Sequence, residues 1–112
     1  MADPIREVPE NEAPIGQMGQ KHLVVGKRMA LRVWEETPSE GEKEPSSRAY
    51  ETIGYVLEGR ADLYADGQTH TLTAGHSWLV PAGVLHTYTI LEAFKAIEAT
   101  SPPAQAVDGE AA

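Results

Sequence analysis

Short segments rich in β-forming residues run through the middle of the chain. Residues 29–35 alternate between two sets of side chains, with Met29, Leu31 and Val33 in one set, which is the period of a half-buried β-strand. The same features predict strands at residues 22–25, 49–57, 61–64, 68–72, 77–80, 86–91 and 94–100. Residues 91–99 would also tolerate a helix, but their pattern is not amphipathic enough to predict one.

Turn signals separate these segments. Asp66-Gly67 is typical of a tight hairpin, because this pair readily adopts positive φ. Further turns are predicted at Glu58-Gly59, Gly75 and Pro81-Ala82-Gly83. Turns at intervals of about 8–12 residues favour a sandwich or barrel. We therefore predict an all-β barrel of about eight to ten antiparallel strands.

The length and the ends of the chain limit its organisation. With 112 residues the chain is long enough for a single domain. Residues 1–14 are rich in proline and acids and predict a flexible N-terminal lead-in, and residues 101–112 predict a flexible C-terminal tail. The folded barrel is accordingly expected at residues 15–100.

Charge and composition exclude several functions. The formal net charge is −8, which opposes binding to nucleic acid or to anionic lipid surfaces. Cysteine is absent, so disulfides, thiolate catalysis and sulfur-ligated metals are excluded. A signal peptide or membrane helix is not indicated, and we therefore expect a cytoplasmic protein that binds neither nucleic acid nor membrane.

Two motifs carry the strongest signal. Residues 75–86 follow the pattern G-x5-P-x-G-x2-H, which begins at Gly75 and ends at His86, and about 20 residues earlier Tyr55-Val-Leu-Glu-Gly59 closes a predicted strand. Together they resemble the two signature motifs of the cupin family, whose members are small jelly-roll (double-stranded β-helix) barrels. The resemblance covers roughly residues 49–100. It implies that His86, Tyr88 and Ile90 line the interior of the barrel.

In metal-binding cupins the first motif supplies two histidines and a glutamate, and the resemblance maps these onto positions near Ser46, Arg48 and Thr52. Only His86 falls on a usual ligand position, with Glu51 beside Thr52 as a possible second ligand. A catalytic metal typically needs three protein ligands. A cofactor is therefore not strongly implied, although a divalent transition metal held by His86 and Glu51 stays open.

The replacements suggest a different site. Arg48 and Tyr50 alternate toward the same face as Thr52, so an arginine would stand where a metal ligand usually does. With His86 and Tyr88, these residues predict a pocket for a small anionic or aromatic ligand, because guanidinium pairs bidentately with carboxylates. The alternative is that Arg48 belongs to the exposed acidic loop and pairs with Glu44 or Glu51.

Three functions remain open from the sequence. The preferred one is a cupin that binds a small molecule, with a carboxylate-bearing ligand as one option, without a strongly held metal. The second is a metal-dependent cupin enzyme, an oxygenase, isomerase or lyase, with an atypical site at His86. The third is a dimeric interaction module with a vestigial pocket. A homodimer is expected in each case, since the edge strands need covering. Of the other histidines, His70 is predicted to be exposed and His22 is not assigned.

Overall fold

A computed structural model describes residues 4–16, 19–38 and 43–104 of the chain. After a short 3-10 helix at Glu10–Glu12, the described residues form six strands. These are β1 (Lys21–Val25), β2 (Ala30–Glu36), β3 (Glu51–Ala65), β4 (Gln68–Thr73), β5 (Ser77–Val80) and β6 (His86–Ser101). The predicted all-β fold is confirmed, and residues 91–99 are strand.

The strands form one antiparallel sheet that closes as a jelly roll. Its order is β1-β2-β6-β3-β4, and β5 pairs with β3 beside this path. The two longest strands, β3 and β6, pair along most of their length and form the spine of the barrel. The predicted hairpin between β3 and β4 is confirmed, with φ of 52° at Asp66 and 72° at Gly67.

Residues 4–16, 19–38 and 43–104 form fewer strands than the eight to ten expected, and Gly59 gives one reason. Residues 49–57 and 61–64 were predicted as two strands with a turn at Glu58-Gly59, but both belong to β3. Gly59 has a φ of +86°, and the register against β6 shifts on both sides of it. A left-handed glycine in a ladder forms a bulge that bends a strand without ending it. Residues 86–91 and 94–100 are likewise continuous in β6.

Aromatic side chains pack against one another in the core. Trp34 packs edge-on against Phe94 with ring centroids 5.0 Å apart, and Trp78 lies 6.5 Å from Phe94 on another side. Val56 and Ala96 are fully buried beside them. Edge-to-face packing of this kind stabilises the core beyond what the burial of apolar area contributes. These residues therefore stabilise the packing of the strands around the interior of the barrel.

The outer face of the sheet carries a row of apolar side chains. Leu31, Ala99, Ile53 and Leu79 are direct neighbours across β2, β6, β3 and β5. Ile53 is 51% exposed and Leu79 is 53% exposed. Such a row is suited to burial against another chain. The predicted homodimer nevertheless stays a prediction.

The described parts of both chain ends lie against the barrel. In the predicted lead-in, Arg6 donates a hydrogen bond to the Val25 carbonyl, and Glu10 pairs with Lys21 at 3.2 Å. At the other end Ala104 is buried and its amide donates to the Thr100 hydroxyl. Residues 105–112 of the predicted tail lie outside the described residues.

Among the described residues, none belongs to a helix of the length and hydropathy that crossing a membrane requires.

Candidate functional site

A cavity of about 250 Å³ opens at one end of the barrel. All four side chains predicted as ligand-binding, Arg48, Tyr50, His86 and Tyr88, line it. The first two precede β3 and the other two begin β6, so the fold brings together segments about 40 residues apart in the chain. Thr52 also lines the cavity, as its alternation with Arg48 and Tyr50 predicted.

Backbone hydrogen bonds hold the segment that carries Arg48. Ser46 and His86 exchange a pair of backbone hydrogen bonds, each 2.9 Å long, and the Gly83 amide donates to the Arg48 carbonyl at 2.8 Å. The Thr87 hydroxyl adds a bond to the Lys43 carbonyl. These hydrogen bonds connect residues 43–48 to the turn before β6 and to the start of β6. Arg48 is half-buried and lines the cavity.

A buried ion pair forms part of the cavity lining. The Arg32 Nε atom donates to Glu98 Oε1 at 2.9 Å, and the two residues are only 6% and 3% exposed. Arg32 also lies over the Tyr50 ring, 5.6 Å from its centroid. Burial alone would lower the pKa of the Arg32 guanidinium, but the charge of Glu98 and the hydrogen bond to Tyr50 outweigh it and raise that pKa. Arg32 is therefore a permanent cation inside the barrel.

The sheet register explains how this pair is placed. His22, Arg32, Glu98, Gly54 and Trp78 are direct neighbours across β1, β2, β6, β3 and β5, so their positions face the interior as one row. Gly54 has to be glycine in this row, because a Cβ there would stand 2.3 Å from the Trp78 ring. The indole of Trp78 thereby lies across β3, where its Nε1 donates to the Tyr88 hydroxyl at 3.2 Å.

Tyr88 is held as a neutral hydrogen-bond donor. Its burial, together with the negative charge of Glu98, raises the pKa of the Tyr88 phenol well above its usual range. The Tyr88 oxygen accepts a hydrogen bond from Trp78, so the phenol O–H group can donate a hydrogen bond to another partner. The ring packs edge-on against Trp34 and His86, with centroids 4.8 and 5.5 Å away.

His86 has a defined tautomer. Its Nδ1 atom lies 2.9 Å from the Val84 carbonyl oxygen, which can only accept a hydrogen bond. Nδ1 therefore carries the hydrogen, and in the neutral ring Nε2 is the acceptor. A ligand with a donor group, or a proton, would meet His86 at Nε2.

A second charged cluster borders the cavity. Lys43 forms an ion pair with Glu36, and its ammonium group lies 5.7 Å from the centre of the Trp34 ring. The Trp34 indole donates to the same Glu36 carboxylate at 3.0 Å. The Lys43 ammonium group and the Glu36 carboxylate are thus already engaged within the protein. The cluster therefore forms one wall of the cavity.

The described residues do not offer a donor set for a metal. Among them, no group of three histidine or acidic side chains is close enough to hold an ion. Glu98 is engaged by Arg32, and Glu36 by Lys43 and Trp34. Glu51 is exposed and does not line the cavity, because it follows Tyr50 on an alternating strand and faces away. The structure therefore does not bring Glu51 together with His86.

Gln20, Arg32 and Glu98 are among the cavity residues that sequence reasoning missed. Arg32 lies in the strand whose alternation was recognised, but a charged residue between apolar ones was not assigned to the inner face. Its position in the set with Ala30 and Trp34 was the available signal. Nothing in the sequence links it to Glu98, which lies 66 positions away.

His22 is almost fully buried, and His70 is exposed as predicted.

Comparisons with known proteins agree with this fold. The family model of the cupin domain matches residues 32–97. The chain superposes on an RmlC-like cupin from Shewanella frigidimarina with a TM-score of 0.70 at 20% identity, covering 88% of this chain and 95% of that one. For the polyketide cyclase RemF from Streptomyces resistomycificus the TM-score is 0.71 at 19% identity, with 88% and 80% covered.

KdgF from Halomonas sp. gives a TM-score of 0.67 at 20% identity, with 74% of this chain and 76% of that one covered. At these identities the structural likeness shows the fold alone. A comparison with curated protein sequences gives no match. The family model spans more than half of the chain and includes both predicted motifs, and the chain therefore belongs to the cupin domain family.

Proposed function

We propose that this protein binds a small carboxylate-bearing molecule in its barrel cavity, without a strongly held metal. The observation that supports this most is the convergence of Arg48, Tyr50, His86 and Tyr88 on one cavity. Small-molecule sites are typically concave, largely preformed and lined by a few directed polar groups among aromatic ones. With about 250 Å³ of space, the cavity suits a ligand of metabolite size.

Each side chain has a distinct part in this binding. Arg48 has five N–H donors in a plane, so it can bind a carboxylate along one edge while another edge keeps a protein contact. Tyr88 accepts a hydrogen bond from Trp78, and its own O–H group can donate to the ligand. His86 accepts through Nε2. The indole–phenol and His86–carbonyl bonds fix these groups before the ligand arrives, which lowers the entropy cost of binding.

Replacing Arg48 should reveal the carboxylate. We expect Arg48→Ala to weaken the binding of small organic acids by about tenfold to a hundredfold, because a charge-assisted hydrogen bond is worth about 1.5–3 kcal/mol. Arg48→Lys should not restore binding, since an ammonium group cannot form the planar fork. A thermal-shift screen of organic acids, followed by calorimetric titration, measures this.

Arg60→Ala is the matched control for Arg48. Arg60 lies in β3, is exposed and pairs only loosely with Glu92 at 3.5 Å, so its loss should leave acid binding unchanged. Equal stabilisation of wild type, Arg48→Lys and Arg48→Ala by the same acids would show that Arg48 does not take part. The proposal of a carboxylate site would then be withdrawn.

Metal content separates this proposal from the metal-dependent enzyme. We expect any transition metal to occupy less than about half of the sites in protein purified without a chelator or a metal-binding tag, because three suitable ligands do not converge on His86 among the described residues. Elemental analysis of the wild type and of His86→Ala tests this. Near-stoichiometric metal that disappears in His86→Ala would instead place the protein in the enzyme class.

A further inference from the structure

In the wall of the cavity, Gln20 has a buried acceptor without a partner among the described residues. It directly precedes β1, lines the cavity and is only 9% exposed. Its Oε1 atom is buried and has no hydrogen-bond partner among the residues that the structure describes. An acceptor buried without a partner is costly, and native proteins rarely keep one. A donor that arrives with the ligand would remove this cost.

The charges of the cavity lining point in the same direction. The lining has three cations, Arg32, Lys43 and Arg48, and three carboxylates, Glu36, Glu44 and Glu98. Glu98 and Glu36 are paired with Arg32 and Lys43, so a ligand with only a carboxylate gains at Arg48 but offers no hydrogen to Gln20 Oε1 or to His86 Nε2. A ligand that also has a hydroxyl or ammonium group presents hydrogens to the acceptors instead.

We infer that the ligand is a small carboxylic acid that also carries a hydroxyl or amino group, and that Gln20 Oε1 accepts the hydrogen bond from that group. This inference rests on the proposed carboxylate site at Arg48 and narrows its ligand class. Gln20 then acts as the residue that determines specificity, while Arg48 supplies the charge that binds the acid.

Gln20→Leu separates this role from a structural one. Leucine has a similar volume and removes the buried acceptor, so the ligand-free variant should unfold at the same temperature as the wild type or higher. A glutamine needed for the fold would give a lower unfolding temperature. Gln68→Leu is the matched control, because Gln68 is exposed in the β3–β4 hairpin and does not line the cavity.

The experiment is calorimetric titration of wild type, Gln20→Leu and Gln68→Leu with matched acids. The pairs are lactate against propionate, malate against succinate, and alanine against propionate, and comparing the first pair with the last separates a hydroxyl from an ammonium. We expect the wild type and Gln68→Leu to prefer the acid with the extra donor by about tenfold in at least one pair. In Gln20→Leu the preference should fall below about twofold, with propionate or succinate bound as before.

Three results would overturn the inference. Equal binding of both acids in every pair would agree with the carboxylate site but would show that the site does not recognise a second donor group on the ligand. A preference that persists in Gln20→Leu would show that a residue other than Gln20 recognises the hydroxyl or ammonium group of the ligand. Failure of all these acids to bind the wild type would refute the proposed carboxylate site together with the inference that rests on it.

Discussion

Gly59→Ala is expected to destabilise the protein by about 3–5 kcal/mol, a large fraction of the stability of a small domain. Two costs add at this position. A φ of +86° is strained for any residue with a Cβ, and the new Cβ would lie 2.0 Å from the Ala93 carbonyl oxygen. That atom belongs to the backbone of β6 and cannot rotate away. Relief would require β3 and β6 to separate where both bend.

Gly67→Ala is the control for the backbone strain alone. Gly67 has a φ of +72°, but a Cβ there would meet nothing within 4 Å. Its loss should therefore cost only about 1–2 kcal/mol. Denaturant unfolding of both variants gives the two free energies. Equal losses would mean that the strands adjust around residue 59 and that the clash contributes nothing.

Glu98→Ala is expected to cost about 3–5 kcal/mol, because it leaves the guanidinium of Arg32 buried without its carboxylate. The two side chains are 7% and 4% exposed, so water cannot readily replace the missing partner. The double variant Arg32→Met with Glu98→Leu should regain most of this loss, since a buried ion pair can often be replaced by apolar groups. Chemical denaturation of the single and double variants measures both effects.

Glu92→Ala is the internal control for Glu98→Ala. Glu92 is on the same strand and pairs with Arg60, but its side chain is 61% exposed. Exposed pairs contribute at most about 1 kcal/mol, so this variant should be nearly as stable as the wild type. If Glu98→Ala were no more harmful than Glu92→Ala, the cavity would have to admit enough water to solvate Arg32.

The double variant also bears on function. If Arg32 and Glu98 only stabilise the barrel, the apolar pair should bind organic acids as the wild type does. If they orient Tyr50, the affinity should fall although the fold is regained, because Arg32 lies against the Tyr50 ring and hydroxyl. Comparing stability with affinity in one variant thus separates the two roles of this pair.

Strands, the β3–β4 hairpin and the family were predictable from the sequence because their signals are local. Alternation along residues 29–35 and the pair Asp66-Gly67 depend on neighbours within a few positions. The inward placement of Arg48, Tyr50 and Thr52 followed from the same period of two and matches the cavity lining. The local signal was ambiguous at Gly59, since a left-handed glycine serves a turn and a bulge equally well.

The remaining site depends on contacts between distant strands. The pairing of β2 with β6 places Arg32 opposite Glu98, and the pairing of β3 with β5 places Trp78 over Gly54. Register between strands is set by packing across the whole barrel, so a single sequence does not reveal which inward residues become neighbours. The sequence by itself thus determined the strands, the family and one wall of the cavity. Only the tertiary structure decided which buried charges and acceptors complete it, because their partners are remote in the chain.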